Sequence, residues 1–133
     1  MTAAFSIRPS ASHPFPGGAV ADPCAFARLL MDSALERIEA AREHLVSGEQ
    51  PEKSFLLRAA VVILSELRAD LDLPRGGAFA ANLDDLYDYM CRRLGAADFH
   101  NGIAALDEVS HLLDALQSAW TYLPAEVRAA SRN

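Results

Sequence analysis

Lysine is nearly absent from this 133-residue chain, occurring only at Lys53, and Asp plus Glu outnumber Lys plus Arg by 18 to 12. The formal charge of -6 and pI near 5.1 exclude nucleic acid and an anionic membrane surface as main partners, because phosphate binding needs clustered cations. Cysteine is scarce too: Cys24 and Cys91 form no disulfide framework and fit a reducing compartment. No apolar run approaches the roughly 20 residues that span a bilayer. The densest, Ala59 to Leu64 with Phe55, Leu56 and Leu57 just before Arg58, is far shorter. The first residues hold a single Arg and no apolar signal stretch, so the expectation is a cytoplasmic protein without membrane insertion. Strand-like alternation is missing throughout.

What the chain does have is apolar content, 51%, with mean hydropathy near zero, enough for one globular domain with its own core. Residues 1–21 carry Pro9, Pro14, Pro16, Gly17, Gly18 and several serines, and read as a flexible tail in which only Phe5, Ile7 and Phe15 are apolar enough to dock. Asp22-Pro23 supplies an N-cap and a first-turn proline. The first predicted helix runs to about Ser47-Gly48, with a stripe of Phe26, Leu30, Ala34, Ile38, Ala41 and Leu45. A second begins near Pro51 and ends near Leu71 before Pro74, with Leu56, Ala59, Ile63 and Leu67 expected to face inward.

After a turn at Gly76-Gly77, a third helix presents Phe79, Leu83, Leu86, Met90 and Leu94 on one face and ends near Ala97. Asp84, Asp88 and Arg92 lie on its other face, with Asp88 and Arg92 spaced to pair across one turn. A fourth helix follows Asp98–Gly102 and repeats Leu106, Val109, Leu113, Leu116, Trp120 and Leu123 at spacings of three and four, with Pro124 closing it. Short connections favour antiparallel neighbours, so the predicted fold is all-α: an up-down-up-down four-helix bundle over residues 22–124, flanked by tails at 1–21 and 125–133.

Little catalytic chemistry is visible. Glu108-Val-Ser-His111 has the Glu-x-x-His spacing of a di-iron bundle ligand pair, but no second pair exists and His111 falls opposite the helix's apolar stripe. Asp84, Asp85 and Asp88 read as a solvated acidic face, and Cys91 as a small, mostly buried apolar side chain with no cation placed to activate it. Gly76-Gly77 lacks the setting of a phosphate loop. No catalytic residue, metal or cofactor is expected, and the chain does not read as an enzyme.

The second helix has more apolar surface than a bundle seam needs. Leu57, Val61 and Leu64 form a second stripe about 100° from the first, and Phe55 with Val62 makes a third. Four readings of this surplus stand open: a groove for a helical ligand, docking of the tail through Phe5, Ile7 and Phe15, homodimerisation, or a central place in the bundle. Tyr87 and Tyr89 are expected on opposite shoulders of the third helix's stripe.

The run from Gly76-Gly77 through Asn82-Leu83, Leu86-Tyr87-Asp88-Tyr89-Met90 and Arg92-Arg93-Leu94 resembles the centre of the flagellar secretion chaperones, the FliS family. Further blocks resemble that family in order: Pro23, Leu30 to Ala34, Ile63-Leu64 with Leu67, Leu71-Asp72, Ala97 to Phe99, Glu108-Val109, Leu112-Leu113 and Ala119-Trp120. Met31 and Ser33 stand where the family has an aromatic residue and a glycine, and the family's N-terminal tyrosine segment is not recognisable.

The resemblance implies a cytoplasmic, non-enzymatic chaperone, monomeric or homodimeric. It would bind the disordered C-terminal segment of flagellin, prevent premature polymerisation and keep the client fit for type III export. It also implies an export-gate component as a further partner. In that setting Leu57, Val61, Leu64, Tyr87 and Cys91 are the expected groove residues, with Phe5 and Ile7 as candidates for a groove-covering tail. The alternative is a homodimeric helical interaction or regulatory bundle that binds another flagellar or export component.

Overall fold

The computed structural model describes residues 23–120. They form four α-helices: α1 (Pro23–Ser47), α2 (Gln50–Ala69), α3 (Leu73–His100) and α4 (Ile103–Trp120). The expectations for Phe5, Ile7, Phe15, the Asp22 cap, Leu123, Pro124 and both tails lie outside the described residues. Each helix packs on its successor and α4 closes back on α1. Cross-helix contacts fix the directions: Ser54 meets Asp98, Val61 meets Cys91 and Arg68 meets Asp84, so α2 advances as α3 retreats. Between α1 and α4, Arg42 meets Asp107 and Gln117 meets Arg28, again antiparallel. The fold is the all-α, up-down-up-down bundle that the helical periods predict.

The ends of the helices follow from local chemistry. Gly48, at φ 79°, closes α1, with its N–H donating to Leu45 O (3.2 Å) and that of Glu49 to His44 O (2.8 Å), the paired bonds of a Schellman stop. Asp72 caps α3 by accepting from the Arg75 N–H at 3.3 Å, with Pro74 in the first turn. The turn between α2 and α3 thus begins at Asp70–Asp72, and the expected break at Gly76-Gly77 follows one turn later. Gly77 interrupts α3 after its first turn, at φ 57° and ψ -138°, a conformation suited to glycine. Asn101 ends α3 in the left-handed region (φ 53°), and Gly102 N–H returns to Ala97 O. Thus α3 extends one turn beyond the expected stop at Ala97.

The core is a set of four seams with spacings of three and four, apart from one two-turn step of seven at the end of α4. They are Met31, Ala34, Ile38 and Ala41 on α1; Lys53, Leu57, Ala60, Leu64, Leu67 and Leu71 on and just after α2; Ala80, Leu83, Tyr87, Met90, Leu94 and Ala97 on α3; and Leu106, Val109, Leu113 and Trp120 on α4. That period keeps each seam facing its neighbours in a left-handed bundle. Of the expected inward stripe of α2, Leu67 is buried as expected, but Leu56, Ala59 and Ile63 are only half-buried, and over that stretch the seam runs one residue later through Leu57, Ala60 and Leu64. On α3 the expected Leu83, Met90 and Leu94 are in the seam, joined by Ala80, Tyr87 and Ala97, while Phe79 and Leu86 sit half-buried on its flank.

Candidate partner-binding surface

The five residues expected to line a groove divide sharply. Leu57 (1% exposed), Leu64 (0%) and Tyr87 (1%) are core residues, whereas Val61 and Cys91 are half-buried at the α2–α3 boundary. Leu57 and Leu64 are thus corrected from surface stripe to seam, and Tyr87 from shoulder to centre. The physical reason is the seam's weak signal: it opens with Lys53 and includes the small Ala60, so larger neighbours make a stronger pattern in the wrong place. Burial pushes the Tyr87 phenol well above its ordinary value of 10.0, with Asp70 adding to the rise.

The apolar surplus on α2 that reaches solvent is the pair Phe55 (69% exposed) and Val62 (57%), seven residues apart on the outermost line of the helix. The Cys91 thiol donates to Val61 O at 3.9 Å. One turn away, the antiparallel register brings Gly95 opposite the Leu57–Arg58 stretch, and a Cβ built there meets nothing within 4 Å. Half-buried Val61 and Cys91, with exposed Val62, Ser65 and Gly95, make up a strip of small and apolar side chains along the α2–α3 boundary. Burial raises the Cys91 thiol above its ordinary 9.0, so it is an apolar wall rather than a nucleophile.

A clamp of charges bounds the strip at one end. Arg68 donates to Asp84 through Nε (2.6 Å) and Nη2 (3.3 Å), and through Nη1 to Asp88 (3.0 Å). Asp88 also accepts from Arg92 Nε at 3.0 Å, the pair that the four-residue spacing predicts. The Arg92 hydrogen bond, joined by the charge of Arg68, holds the Asp88 carboxyl below its usual range. Asp84 and Asp88 therefore tie α3 to α2 and are not merely solvated acids. At the other end sits a group that the sequence reading passed over. Lys53 is 1% exposed, and its ammonium donates to Asp98 O (2.7 Å) and Asn101 Oδ1 (2.6 Å), with Asp98 Oδ1 at 3.4 Å. Ser54 Oγ donates to the same Asp98 carboxylate at 2.5 Å. The available signal was that a lone lysine falls on a three-four repeat with Leu57, Ala60 and Leu64.

The remaining motifs are structural. Glu108 accepts from Tyr89 Oη and Arg93 Nε, both at 2.7 Å, which depresses its carboxyl and joins α4 to α3, while His111 is exposed. No helix among the described residues is long and apolar enough to cross a membrane.

Comparison with known proteins adds a family pattern over this frame. Residues 18–127 match the family described as Flagellar protein FliS. The chain is 44% identical to the flagellar secretion chaperone FliSB of Pseudomonas aeruginosa over 75% of its own length and 79% of that protein. Identity to the flagellar secretion chaperone FliS is 39% for Salmonella typhimurium, covering 75% of each chain. For the Vibrio cholerae protein it is 34%, covering 80% of this chain and 78% of that one.

Proposed function

Because the chain belongs to the FliS family of flagellar secretion chaperones, we propose that it acts in the cytoplasm as an export chaperone for flagellin, holding the disordered C-terminal segment of that client. The observation that carries the reading is the apolar surface left on α2 once the seam is filled, Val62 above all, beside the strip of Val61, Cys91 and Gly95. A segment that folds on binding loses conformational entropy, so it needs continuous apolar contact and close backbone approach. Small side chains at Gly95 and Cys91 permit that approach. Leu57, Leu64 and Tyr87 support the strip from beneath, fixing the spacing of α2 and α3 without touching the client.

Binding of a flagellin C-terminal peptide, followed by calorimetry at several temperatures, tests the proposal. The expected result is micromolar or tighter affinity with a negative heat-capacity change. Val62→Asp combined with Gly95→Arg should weaken binding by at least about tenfold while the helical circular dichroism signal persists, since both positions are exposed. Leu64→Asp serves as the contrast and should lose fold and binding together, because it places an unpaired charge in the seam. Undiminished binding by the Val62 and Gly95 variant would remove the client from this face.

A further inference from the structure

The turn between α1 and α2 borders a cleft of about 390 Å³, lined by His44, Pro51, Glu52, Phe55 and Leu56. This volume lies near the small end of the roughly 300–1,000 Å³ range of ligand pockets, suited to an anchoring side chain and its neighbour rather than a whole helix. Its wall is largely apolar, and its charge has one sign. Glu52 has no ion-pair partner among the described residues, and Glu49 stands beside it, linked to His44 Nδ1 at 2.6 Å. Lys53 is turned inward onto Asp98 and Asn101, and Arg42 is paired with Asp107 at 2.7 Å, while Arg58 follows Phe55 by one turn and is exposed, away from Leu56 and the α1 side.

We propose that this cleft is a second docking site, taking an apolar side chain flanked by Lys or Arg from a protein other than the flagellin client. Charge complementarity selects this occupant: an acidic segment would set carboxylate against Glu52 and Glu49, whereas a basic one pairs with them. A second copy is a poor fit, because a two-fold contact centred on the cleft would bring Glu52 against Glu52 in a chain of charge -6. The cleft is also separate from the client strip. Leu56 and Val61 are five residues apart, about 140° round the helix, so the cleft opens toward α1 and the strip toward α3. Both can therefore be filled together. Lys53 keeps the first turns of α2 in the register that places Glu52 and Phe55 on the rim.

The test uses the full chain and two dye-labelled synthetic helical peptides, each with a Leu-Trp anchor, one flanked by Lys and the other by Glu. In fluorescence anisotropy the Lys peptide should bind at least about tenfold more tightly than the Glu peptide. Phe55→Ser should weaken the Lys peptide by about tenfold, and Glu52→Lys with Glu49→Lys should reverse the charge preference. Saturation with the flagellin segment should leave the Lys peptide's affinity within about twofold, as expected of independent sites. Equal binding of the two peptides, indifference to Phe55, or displacement by flagellin overturns the proposal. So does self-association in sedimentation that Phe55→Ser abolishes, which would give the cleft to a second copy. If flagellin fails to bind at all, the client reading falls, while the peptide affinities still decide the cleft.

Discussion

Replacing Lys53 by Met removes an ammonium but keeps most of the aliphatic volume. The consequence can be worked from two acceptors. Asp98 O belongs to the last turn of α3, where carbonyls have no intrahelical partner, and Lys53 supplies the missing donor at 2.7 Å from a different helix. Asn101 Oδ1 receives the second hydrogen bond at 2.6 Å. Hydrogen bonds to a charged group contribute about 1.5–3 kcal/mol each, and the negative end of the helix dipole adds up to about 1 kcal/mol. Against them stands the cost of burying the ammonium, several kcal/mol, which Lys53→Met relieves. Because two acceptors then lose their donor, of which only the exposed Asn101 can turn to water, the net loss should be about 2–3 kcal/mol, a large share of the 5–15 kcal/mol that holds a typical domain. Lys53→Ala should lose about 5 kcal/mol, since buried methylenes contribute roughly 0.8 kcal/mol each. Urea unfolding followed by the fluorescence of Trp120, the sole tryptophan and itself buried, reads both values. Lys53→Met as stable as the native chain, or more so, would refute the reasoning and show that desolvation outweighs the hydrogen bonds.

Two glycines of α3 should respond in opposite directions. Gly95→Ala should raise stability by about 0.5–1 kcal/mol, because the added methyl meets no atom and the unfolded chain loses freedom. Gly77→Ala should cost about 1–3 kcal/mol in the same urea assay, because an L-residue is strained at φ 57°, ψ -138°. For pH, the Arg92 hydrogen bond lowers Asp88, that from Arg42 lowers Asp107, and those from Tyr89 and Arg93 lower Glu108. A depressed folded value means stability that is complete above the ordinary 3.8 or 4.5 and lost as pH falls through the folded value. Glu108→Gln should therefore flatten part of the acid limb in a pH titration of Trp120 fluorescence, and an unchanged limb would disprove its share. In a Cys24→Ser background, Cys91 should react with iodoacetamide at pH 8 several-fold more slowly than a small free thiol, because burial keeps it protonated.

The helices were legible because their stops are local. Ser47-Gly48, Pro51 and Asn101-Gly102 each act within a turn of their position, and periodicity supplied the rest. The break at Gly77 was legible from the paired glycines, but the short helical turn before it was not, because Pro74 reads as a breaker while the Asp72 carboxylate caps a first turn that contains the proline. The facing of α2 was not legible, for a different reason. Its sequence holds several apolar stripes, and the one that faces inward depends on what lies opposite. Only the bundle shows that Lys53 has oxygen acceptors on α3, which makes a charged residue acceptable in the seam and moves Leu57 and Leu64 inside. Tyr87 follows by the same logic, since Met90 and Leu94 set the phase that makes it central.

With the seam assigned, the outer line of α2 has to be explained by itself. In a bundle that line meets water, and charged or polar residues are ordinary there. Phe55 and Val62 occupy it with 69% and 57% of their surfaces exposed. Covering what remains of each would contribute about 1–2 kcal/mol, given 1.5–3 kcal/mol for complete burial of a large apolar side chain. Micromolar affinity needs about 8 kcal/mol net, and ordering a disordered client adds roughly 2–5 kcal/mol to the requirement. Of that line only Val62 lies beside the client strip, since Phe55 lines the separate cleft, so it supplies only about a tenth of the gross interaction. The other exposed large apolar residues, Leu29, Val46, Leu73 and Phe99, are spread over α1 and the two ends of α3. A client held by this chain must draw on several of these faces, through a long extended segment rather than one helix in one groove.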